Sequence, residues 1–395
     1  MPLSLYWLAL GAFCIGTATF VTAPLLPAIA AELGVTVPTA GHLVSLYALT
    51  YAVGSPVLST LLGNRDRKAL LVAALGTFAA ASLLASAAQS FTQLMVVQAL
   101  LALAAGLFMP AATGVAAMLV APEKRGRALS IIISGLSVSM ALGVPIGSMI
   151  GGLTHWRVAF VLIAAAGAIG VAGLIAGLPK SLPRGSATLP ERIAVGRRPD
   201  VLLALTVTFL WSTGVFAFYT FVAPFLTSVG FARSSVPLVL FVFGAAGWLG
   251  TMAGGRMTDR YGAGGTLSVA LAVLGLTYLV FGTAGLAGPS QAAMASVVAG
   301  FVLGGIAGWT FHPAQTARLV QHAPDAAVVA LSLNQSALYF GTAAGAAFGA
   351  LVVAHGPVVN LAWTAAACQF AALAVLGLAL RRSKRLGTVR LQPAE

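Results

Sequence analysis

Long apolar stretches alternate with short polar segments along the whole chain. We predict twelve such stretches, each long enough to cross a bilayer as a helix, which takes about 20 residues. They cover approximately residues 5–31, 39–62, 69–88, 92–121, 127–152, 156–178, 200–228, 235–257, 264–286, 289–320, 326–353 and 357–380. The pattern therefore predicts an all-α polytopic membrane protein with twelve transmembrane helices.

The composition agrees with this prediction and excludes a soluble domain. Apolar residues make up 59% of the 395 residues and charged residues only 7%, and the mean hydropathy is +0.99. A soluble protein of this size would lack the charge that its surface needs. The two cysteines, Cys14 and Cys368, lie in apolar stretches far apart in sequence. They indicate neither a disulfide framework nor a metal site, and we expect no cofactor.

The basic residues are distributed unevenly between the two ends of the predicted helices. Of the 21 Lys and Arg residues, 19 lie in the segments on one side, and only Arg157 and Arg233 fall on the other. Basic loops stay in the cytoplasm, so both termini are predicted to be cytoplasmic. The formal net charge of +13 is thus explained by membrane orientation, and we expect no nucleic-acid partner.

The two halves of the chain contain similar segments. The segment from Phe108, FMPAATGVAAMLVAPEKRGRALS, shares three ordered matches with FHPAQTARLVQHAPDAAVVALS, which starts at Phe311. Gly143 and Gly147 match Gly345 and Gly349 at the same offset of 202 residues. A duplicated six-helix unit is typical of transporters that move two halves around a central site. The alternative is chance similarity between helices rich in alanine and glycine.

These repeats predict the domain organisation. The segment between the halves is rich in proline, glycine and arginine and has no long apolar run, which indicates a linker. The predicted units are an N-terminal six-helix bundle over residues 1–178, a cytoplasmic linker over 179–199, a C-terminal six-helix bundle over 200–380 and a basic cytoplasmic tail over 381–395.

The fifth predicted helix contains a glycine-rich face. Gly143, Gly147 and Gly151 recur every four residues, and Pro145 lies between them. Glycines at this spacing let a neighbouring helix approach closely, while a proline inside a helix removes a backbone hydrogen bond and bends it. The spacing predicts a bent, tightly packed helix. Ordinary packing of small residues is the alternative to a specific functional role.

Here the chain resembles the major facilitator superfamily, and most closely its bacterial twelve-helix drug:proton antiporters, which include purine-nucleoside, amphenicol and sugar efflux pumps. The segment LGVPIGSMIGG is similar to the antiporter signature of that family, at Gly143, Pro145, Gly147, Gly151 and Gly152. The resemblance implies the major facilitator fold with two pseudo-symmetric bundles. It also implies a monomeric, non-enzymatic protein of the bacterial inner membrane, associated with drug resistance.

The function that the resemblance implies is secondary active efflux. The substrate would be a small neutral or amphiphilic molecule (a drug, a nucleoside or a sugar-like compound), exported by alternating access in exchange for protons. The alternative is an uncoupled facilitator or uptake permease of the same fold. No nucleotide-binding GxxxxGK[ST] segment is present in the sequence, which argues against ATP-driven transport by this chain.

The segment GRMTDRYG between the eighth and ninth helices resembles the cytoplasmic loop motif of the superfamily. The matching residues are Gly255, Asp259, Arg260 and Gly262. An aspartate at a helix end can accept hydrogen bonds from a neighbouring helix and pair with an arginine, which would form a cytoplasmic latch. In the first half, Arg67 and Lys68 fit the motif, but Gly63 stands where the family has its aspartate. The alternative is a basic turn without a latch.

The sequence lacks the residue that usually carries the proton in this family. All eight acidic residues fall in loops, at predicted helix ends or in the tail. Thr19 stands where the family usually has a glutamate, and Gln98 where many members have an arginine. His312 is the only ionisable side chain well inside a predicted helix, and imidazole titrates near neutral pH. Proton coupling, contact with the substrate and a structural role all remain open for His312.

Polar and aromatic residues on the helices that line the family's cavity are the candidates for substrate binding. They are Thr17, Phe20, Tyr47, Tyr51, Gln98, Phe216, Tyr219, His312, Gln315, Asn334, Gln335 and Tyr339. Ordinary helix packing is the alternative for each aromatic residue. Amides, phenols and one imidazole suit a neutral or weakly basic ligand, whereas a dianionic ligand would need buried arginine or lysine.

Overall fold

The computed structural model describes residues 1–62, 65–121, 124–179 and 189–389. Gly63, residues 180–188 of the predicted linker and the end of the tail (390–395) lie outside the described residues. The described part of the chain is helical and contains no strand. Helices satisfy their own backbone hydrogen bonds, which a chain in hydrocarbon must do.

Seven helices form the first half of the chain. They are α1 (Ser4–Glu32), α2 (Val37–Leu61), α3 (Arg67–Ala87), α4 (Phe91–Met118), α5 (Arg125–Val138), α6 (Val144–Leu153) and α7 (Trp156–Gly177). A π-helical turn, Ser139–Gly143, joins α5 to α6, so that these two helices form a single span. Polar side chains begin several helices by capping free backbone N–H groups. The Asp66 carboxylate, for example, accepts a hydrogen bond of 2.8 Å from Ala69 N at the start of α3.

Seven further helices follow. They are α8 (Leu189–Gly196), α9 (Pro199–Tyr219), α10 (Val222–Ser228), α11 (Val236–Ala287), α12 (Gln291–His322), α13 (Ala327–His355) and α14 (Asn360–Val389). α9 and α10 together occupy the seventh predicted span. The short helix α8 lies within the predicted linker, and its Val195 packs with Val201 and Ala330 in a small apolar cluster.

The 52-residue helix α11 accounts for two predicted spans. Gly262 interrupts its helical geometry with φ 75° and ψ 160°, and this left-handed φ is tolerated by glycine at little cost. The residues before and after Gly262 form arms of 26 and 25 residues, each long enough to cross a bilayer. Eleven described helices are long and apolar enough to span a membrane, so that counting the two arms separately gives twelve segments.

The two ends of the helices differ in charge. We call the end that carries Arg65, Arg127 and Arg198 the basic end, and the end that carries Glu32 and Arg157 the opposite end. Arg318, one of the basic residues at the basic end, lies within α12 and is only 3% exposed. The helix continues past the predicted boundary at residue 320 to His322.

At the opposite end, a carboxylate binds Arg157. Arg157 Nη1 donates to the Glu32 carboxylate at the end of α1, and its Nη2 donates to Ala88 O at 2.5 Å. Trp156 Nε1 donates to the same carboxylate at 2.6 Å, and His155 Nε2 lies 2.9 Å from it. Glu32 therefore joins α1 to the turn between α6 and α7.

At the basic end, an ion pair joins the start of α9 to the turn before α13. Arg198 donates to both carboxylate oxygens of Asp325, at 2.7 and 2.6 Å. These hydrogen bonds raise the pKa of the Arg198 guanidinium above its ordinary value. Arg198 lies near the end of the predicted linker and Asp325 lies in the second half, so this pair does not involve the first six spans.

Candidate functional site

The glycine face of α5 and α6 packs directly against α1. A Cβ atom at Gly143 would lie 2.2 Å from Thr17 Oγ1, one at Gly147 would lie 2.8 Å from Val21, and one at Gly151 would lie 2.5 Å from Leu25. No larger residue fits such contacts without a shift, since carbon atoms pack best at about 3.5–4.0 Å. Gly152, on another face, would meet no atom within 4 Å.

The π-helical turn lies directly before Pro145. Proline cannot donate to the carbonyl four residues earlier and clashes with it, and an extra residue in the turn relieves such a clash. The turn also presents Met140 and Ala141 to α11, where a Cβ atom at Gly244 would lie 2.6 Å from Ala141 Cα. The span formed by α5 and α6 is thus held between α1 of the first half and α11 of the second.

The second half repeats the close glycine packing. Cβ atoms at Gly341 and Gly345 of α13 would lie 2.4 and 2.3 Å from backbone oxygens of α9. Gly349 continues this face and lies against Phe221, whose ring also covers Gly41 of α2. The Phe221 ring therefore fills the space between the first and second halves near the opposite end.

An aromatic cavity lies mainly among the helices of the second half. Its volume is about 90 Å³, enough for about three water molecules at 30 Å³ each. Drug-sized ligands occupy sites of about 300–1,000 Å³, so the cavity is closed around a small space in this conformation. Its lining includes Phe20, Met140, Trp211, Phe216, Tyr219, Phe243, Tyr278, Phe281, Phe301, Trp309 and His312. We call these residues the aromatic cavity.

Three rings from two helices meet at the boundary between the halves. Phe20 of α1 and Phe216 of α9 are nearly parallel, with an interplanar angle of 15° and centroids 6.2 Å apart. The Tyr219 ring stands at 89° to Phe20 and at 77° to Phe216. Tyr219 OH donates to the Phe20 carbonyl oxygen at 3.3 Å. The first half contributes Phe20 and Met140 to the cavity, and the remaining lining residues come from the second half.

His312 lies in this cavity between two tryptophans. Its ring centroid is 5.1 Å from Trp211 and 5.4 Å from Trp309. Its side chain is half-buried, and it has no hydrogen-bond partner among the described residues. Pro313 follows it inside α12. The imidazole nitrogens are therefore free to bind a ligand, a water molecule or a proton.

The described acidic residues lie outside the aromatic cavity. The described acidic residues lie in turns, in the short helix α8 or near helix ends; they are Glu32, Asp66, Glu191, Asp200, Asp259 and Asp325. None of them lines the cavity. Within the described ranges, the aromatic cavity thus contains one imidazole, that of His312, and no carboxylate.

Four of the twelve predicted binding residues line the aromatic cavity, namely Phe20, Phe216, Tyr219 and His312. Thr17 lies three residues before Phe20 but packs against Gly143, with its Oγ1 donating to Phe13 O at 2.8 Å. Its position is explained by helix packing. Gln98 is buried in α4, and its Nε2 has no hydrogen-bond partner among the described residues.

Two further predicted residues form a polar network between helices. Gln315 Nε2 donates to Ala204 O at 2.7 Å and to Thr208 Oγ1 at 2.8 Å. Thr208 Oγ1 in turn donates to Asn334 Oδ1 at 2.6 Å. This network joins α12, α9 and α13, which gives Gln315 and Asn334 a structural role in this conformation. Gln335 is exposed on α13.

The remaining predicted tyrosines connect α2 with its neighbours. The rings of Tyr51 and Tyr339 stack with centroids 3.7 Å apart and an interplanar angle of 22°, and so join α2 to α13. Thr19 Oγ1 lies 2.8 Å from Ile15 O and 2.9 Å from Tyr47 OH, and since each hydroxyl has one proton, Thr19 can donate to Ile15 O while it accepts from Tyr47 OH. The residue that replaces the family's glutamate therefore hydrogen-bonds a phenol of the next helix.

The predicted latch residues of the second half lie at the surface of this structure. Asp259, Arg260 and Gly262 are exposed, and no ion pair of Asp259 occurs among the described residues. Lys68 instead donates to Ile175 O at 2.6 Å and to Leu178 O at 2.7 Å. It thereby satisfies free carbonyls at the end of α7, within the first half. A latch through Asp259 remains a prediction for another conformation.

Sequence reasoning missed most of the cavity lining, including Trp211, Phe243 and Trp309. Trp309 carried a usable signal, because it precedes His312 by three residues and residues at this spacing share a helix face. Phe243 carried none, since it is one aromatic residue within an apolar helix. Trp211 is brought to His312 only by the packing of α9 against α12.

The family model of the Major Facilitator Superfamily matches residues 8–346. Among relatives of known sequence, the chain is 34% identical over 360 residues to a chloramphenicol resistance protein of Streptomyces lividans, covering 90% of each chain. It is 33% identical over 350 residues to the inner membrane transport protein YdhP of Escherichia coli K12, covering 88% of each.

A solved structure shows the same fold. A bacterial homologue of the human lysosomal transporter Spinster, in an inward-facing and occupied conformation, superposes with a TM-score of 0.73 and covers 95% of this chain and 96% of its own. Its sequence identity is 17%, so it supports the fold alone. The helical architecture, the match over residues 8–346 and these relatives establish that the chain is a multi-pass membrane transporter of the major facilitator superfamily.

Proposed function

We propose that this protein is a secondary active efflux transporter that exports a small neutral or amphiphilic molecule in exchange for protons. In this proposal the basic end and both termini are cytoplasmic, in the inner membrane of a bacterium. A monomer carries out the cycle by moving its halves, residues 1–178 and 200–380, relative to each other. The observation that carries the proposal is the aromatic cavity, which contains His312 and is lined by residues from both halves.

The packing of the helices supports alternating access. Phe221 of the second half covers Gly41 of the first half near the opposite end, and Gly244 of α11 packs against the π-helical turn of the first half. At the basic end, the Arg198–Asp325 ion pair does not involve the first half. In this proposal the contacts near the opposite end hold the cavity closed on that side, its contents exchange through the basic end, and the span with the antiporter signature takes part in these contacts. Relatives with printed roles in chloramphenicol resistance and inner-membrane transport favour export of such molecules.

The lining supports a neutral or amphiphilic substrate. Aromatic side chains bury large apolar areas and recognise ligands by stacking. The cavity lining contains no lysine, arginine or carboxylate, so a strongly charged substrate would lose its hydration without gaining an ion pair. In this proposal His312 carries the proton. Because His312 lines the cavity, the substrate and the proton would then compete at one site.

The test is a pH-gradient assay in inside-out vesicles that contain the protein. A proton-sensitive dye reports the gradient while chloramphenicol, adenosine or a sugar is added. We expect at least one compound to dissipate the gradient with the wild-type protein. His312→Ala should abolish this response, whereas the matched control His42→Ala, at an exposed position of α2, should retain it.

An uncoupled facilitator is the second candidate, and it is favoured by the positions of the carboxylates. No described acidic residue lines the cavity. This candidate predicts labelled counterflow of the same compounds without any change in the gradient. That result would reject proton exchange and leave the transport fold and cavity in place. A full gradient response in the His312→Ala variant would reject His312 as the proton carrier.

A further inference from the structure

We infer that Phe20 and Phe216 form a clamp that holds a planar aromatic ring of the substrate between them. This inference rests on the proposed transport function and narrows its substrate class. Drugs, nucleosides and sugar-like compounds are all compatible with a neutral substrate. The clamp selects those that carry a flat aromatic ring and disfavours sugars.

The spacing of the two rings is the first observation. Facing carbon atoms pack best at about 3.5–4.0 Å, so a ring inserted between two others needs their planes to be about 7 Å apart. Phe20 and Phe216 are nearly parallel at 15°, and their centroids are 6.2 Å apart, which is the upper limit for the separation of their planes. The two rings would therefore move apart by at least about 1 Å to admit a third ring, which would then make two stacking contacts.

Tyr219 closes one edge of the clamp. Its ring is at 89° to Phe20 and at 77° to Phe216, an edge-to-face arrangement that aromatic pairs favour. Tyr219 OH donates to the backbone oxygen of Phe20 and lies 3.9 Å from Met140 S. This contact sets the position of α1 relative to α9, so the rings face each other in a defined register.

The two rings belong to different halves of the transporter. Phe20 lies on α1 and Phe216 on α9. A ring bound between them would contact both halves at once, and would stabilise the conformations in which these helices are close. Separation of the halves would remove one stacking surface and weaken binding. The clamp thus gives the substrate a direct influence on the conformational equilibrium.

The rest of the cavity also favours an aromatic substrate. The walls behind the clamp are the rings of Trp211, Phe243 and Trp309. His312 offers one polar group that no described residue occupies. A flat ring with one or two polar substituents would match this lining. A sugar would bury several hydroxyls with few partners, which is unfavourable.

The experiment measures binding and counterflow of three labelled probes with purified, reconstituted protein. Chloramphenicol and adenosine carry planar rings, and isopropyl thiogalactoside carries none. The variants are Phe20→Leu and Phe216→Leu, which keep an apolar side chain but remove the flat face. Phe216→Tyr keeps the ring. Phe348→Leu is the matched control, since Phe348 is exposed on α13 and does not line the cavity.

We expect the wild-type protein to bind at least one aromatic probe more tightly than isopropyl thiogalactoside. Each Leu variant of the clamp should weaken that binding about 3- to 10-fold, as expected for the loss of one aromatic pair. Phe216→Tyr and Phe348→Leu should bind within about 2-fold of wild type. Size-exclusion and thermal-unfolding profiles would identify any variant that fails to fold. If a Leu variant fails to fold, Phe216→Tyr still tests whether a protein that keeps the ring retains binding of the aromatic probe.

The outcomes separate this inference from the proposed function. Equal binding of the aromatic probe by the wild type and both Leu variants would overturn the clamp, with transport intact. Transport of isopropyl thiogalactoside alone would overturn the aromatic substrate class but support efflux. A wild-type protein that neither binds nor exchanges any of the probes would count against both.

Discussion

Substitution of Gly143 tests the packing of the antiporter-signature helix on α1. A Cβ atom at this position would lie 2.2 Å from Thr17 Oγ1 and 3.1 Å from both Cβ and Cγ2 of Thr17. Thr17 cannot move freely, because its Oγ1 donates to Phe13 O at 2.8 Å. Gly143→Ala must therefore separate α1 from the helix or break the hydrogen bond of Thr17.

The expected cost follows from these contacts. Inserting a methyl group into a well-packed interface costs about 1–3 kcal/mol. Replacement of glycine by alanine within a helix returns about 0.5–1 kcal/mol. We therefore expect Gly143→Ala to lower the free energy of unfolding by up to about 2.5 kcal/mol. Transport should fall as well, because the span is also packed against α11 near Gly244.

The assay is thermal or denaturant unfolding of the purified protein in detergent, with transport measured in parallel. Gly152→Ala is the matched control, since it lies on the same helix and its Cβ would meet nothing within 4 Å. It should be as stable as the wild type or slightly more stable. Equal stability of Gly143→Ala and Gly152→Ala would refute the close-packing argument.

A second substitution separates local overlap from a general effect on the helix. Thr17→Ala removes the Oγ1 and Cγ2 atoms that the new methyl group would meet. The double variant Gly143→Ala with Thr17→Ala should recover most of the lost stability, with a coupling energy of about 0.5–3 kcal/mol, as is usual for residues in contact. Strict additivity of the two changes would contradict the proposed contact.

Two further predictions concern the cavity and the opposite end. Gly308 lines the cavity, and a Cβ there would meet nothing within 4 Å; Gly308→Leu should therefore fold normally but reduce substrate binding at least 10-fold in a binding assay. Gly76→Leu, equally unobstructed on α3, should bind normally, and equal binding by both variants would show that the space beside Gly308 is not used. Glu32→Gln should lower the free energy of unfolding by at most about 1–2 kcal/mol, because it weakens the contacts with Trp156 and Arg157 at a partly exposed site. An unchanged unfolding temperature would show that these contacts do not stabilise the protein.

The sequence alone determined the membrane fold, because the signals that specify it are local. A run of about 20 apolar residues spans a bilayer wherever it occurs. The glycines at 143, 147 and 151 predicted close helix packing because residues four apart share a helix face. Gly262 could be assigned to a turn because it lies in a polar segment between two apolar stretches, and the structure interrupts the helix there with a φ of 75°.

Which residues form the cavity depends on how the helices pack. Membrane helices are apolar on all sides, so periodicity does not distinguish a lipid-facing, packed or cavity-lining position. Thr17 and Phe20 are both plausible from sequence, yet Thr17 packs against Gly143 while Phe20 faces Phe216. His312 was evident as an ionisable residue inside a helix, but its neighbour Trp211 comes from another helix about 100 positions earlier. Such contacts depend on how the helices pack, which no local pattern of this chain encodes.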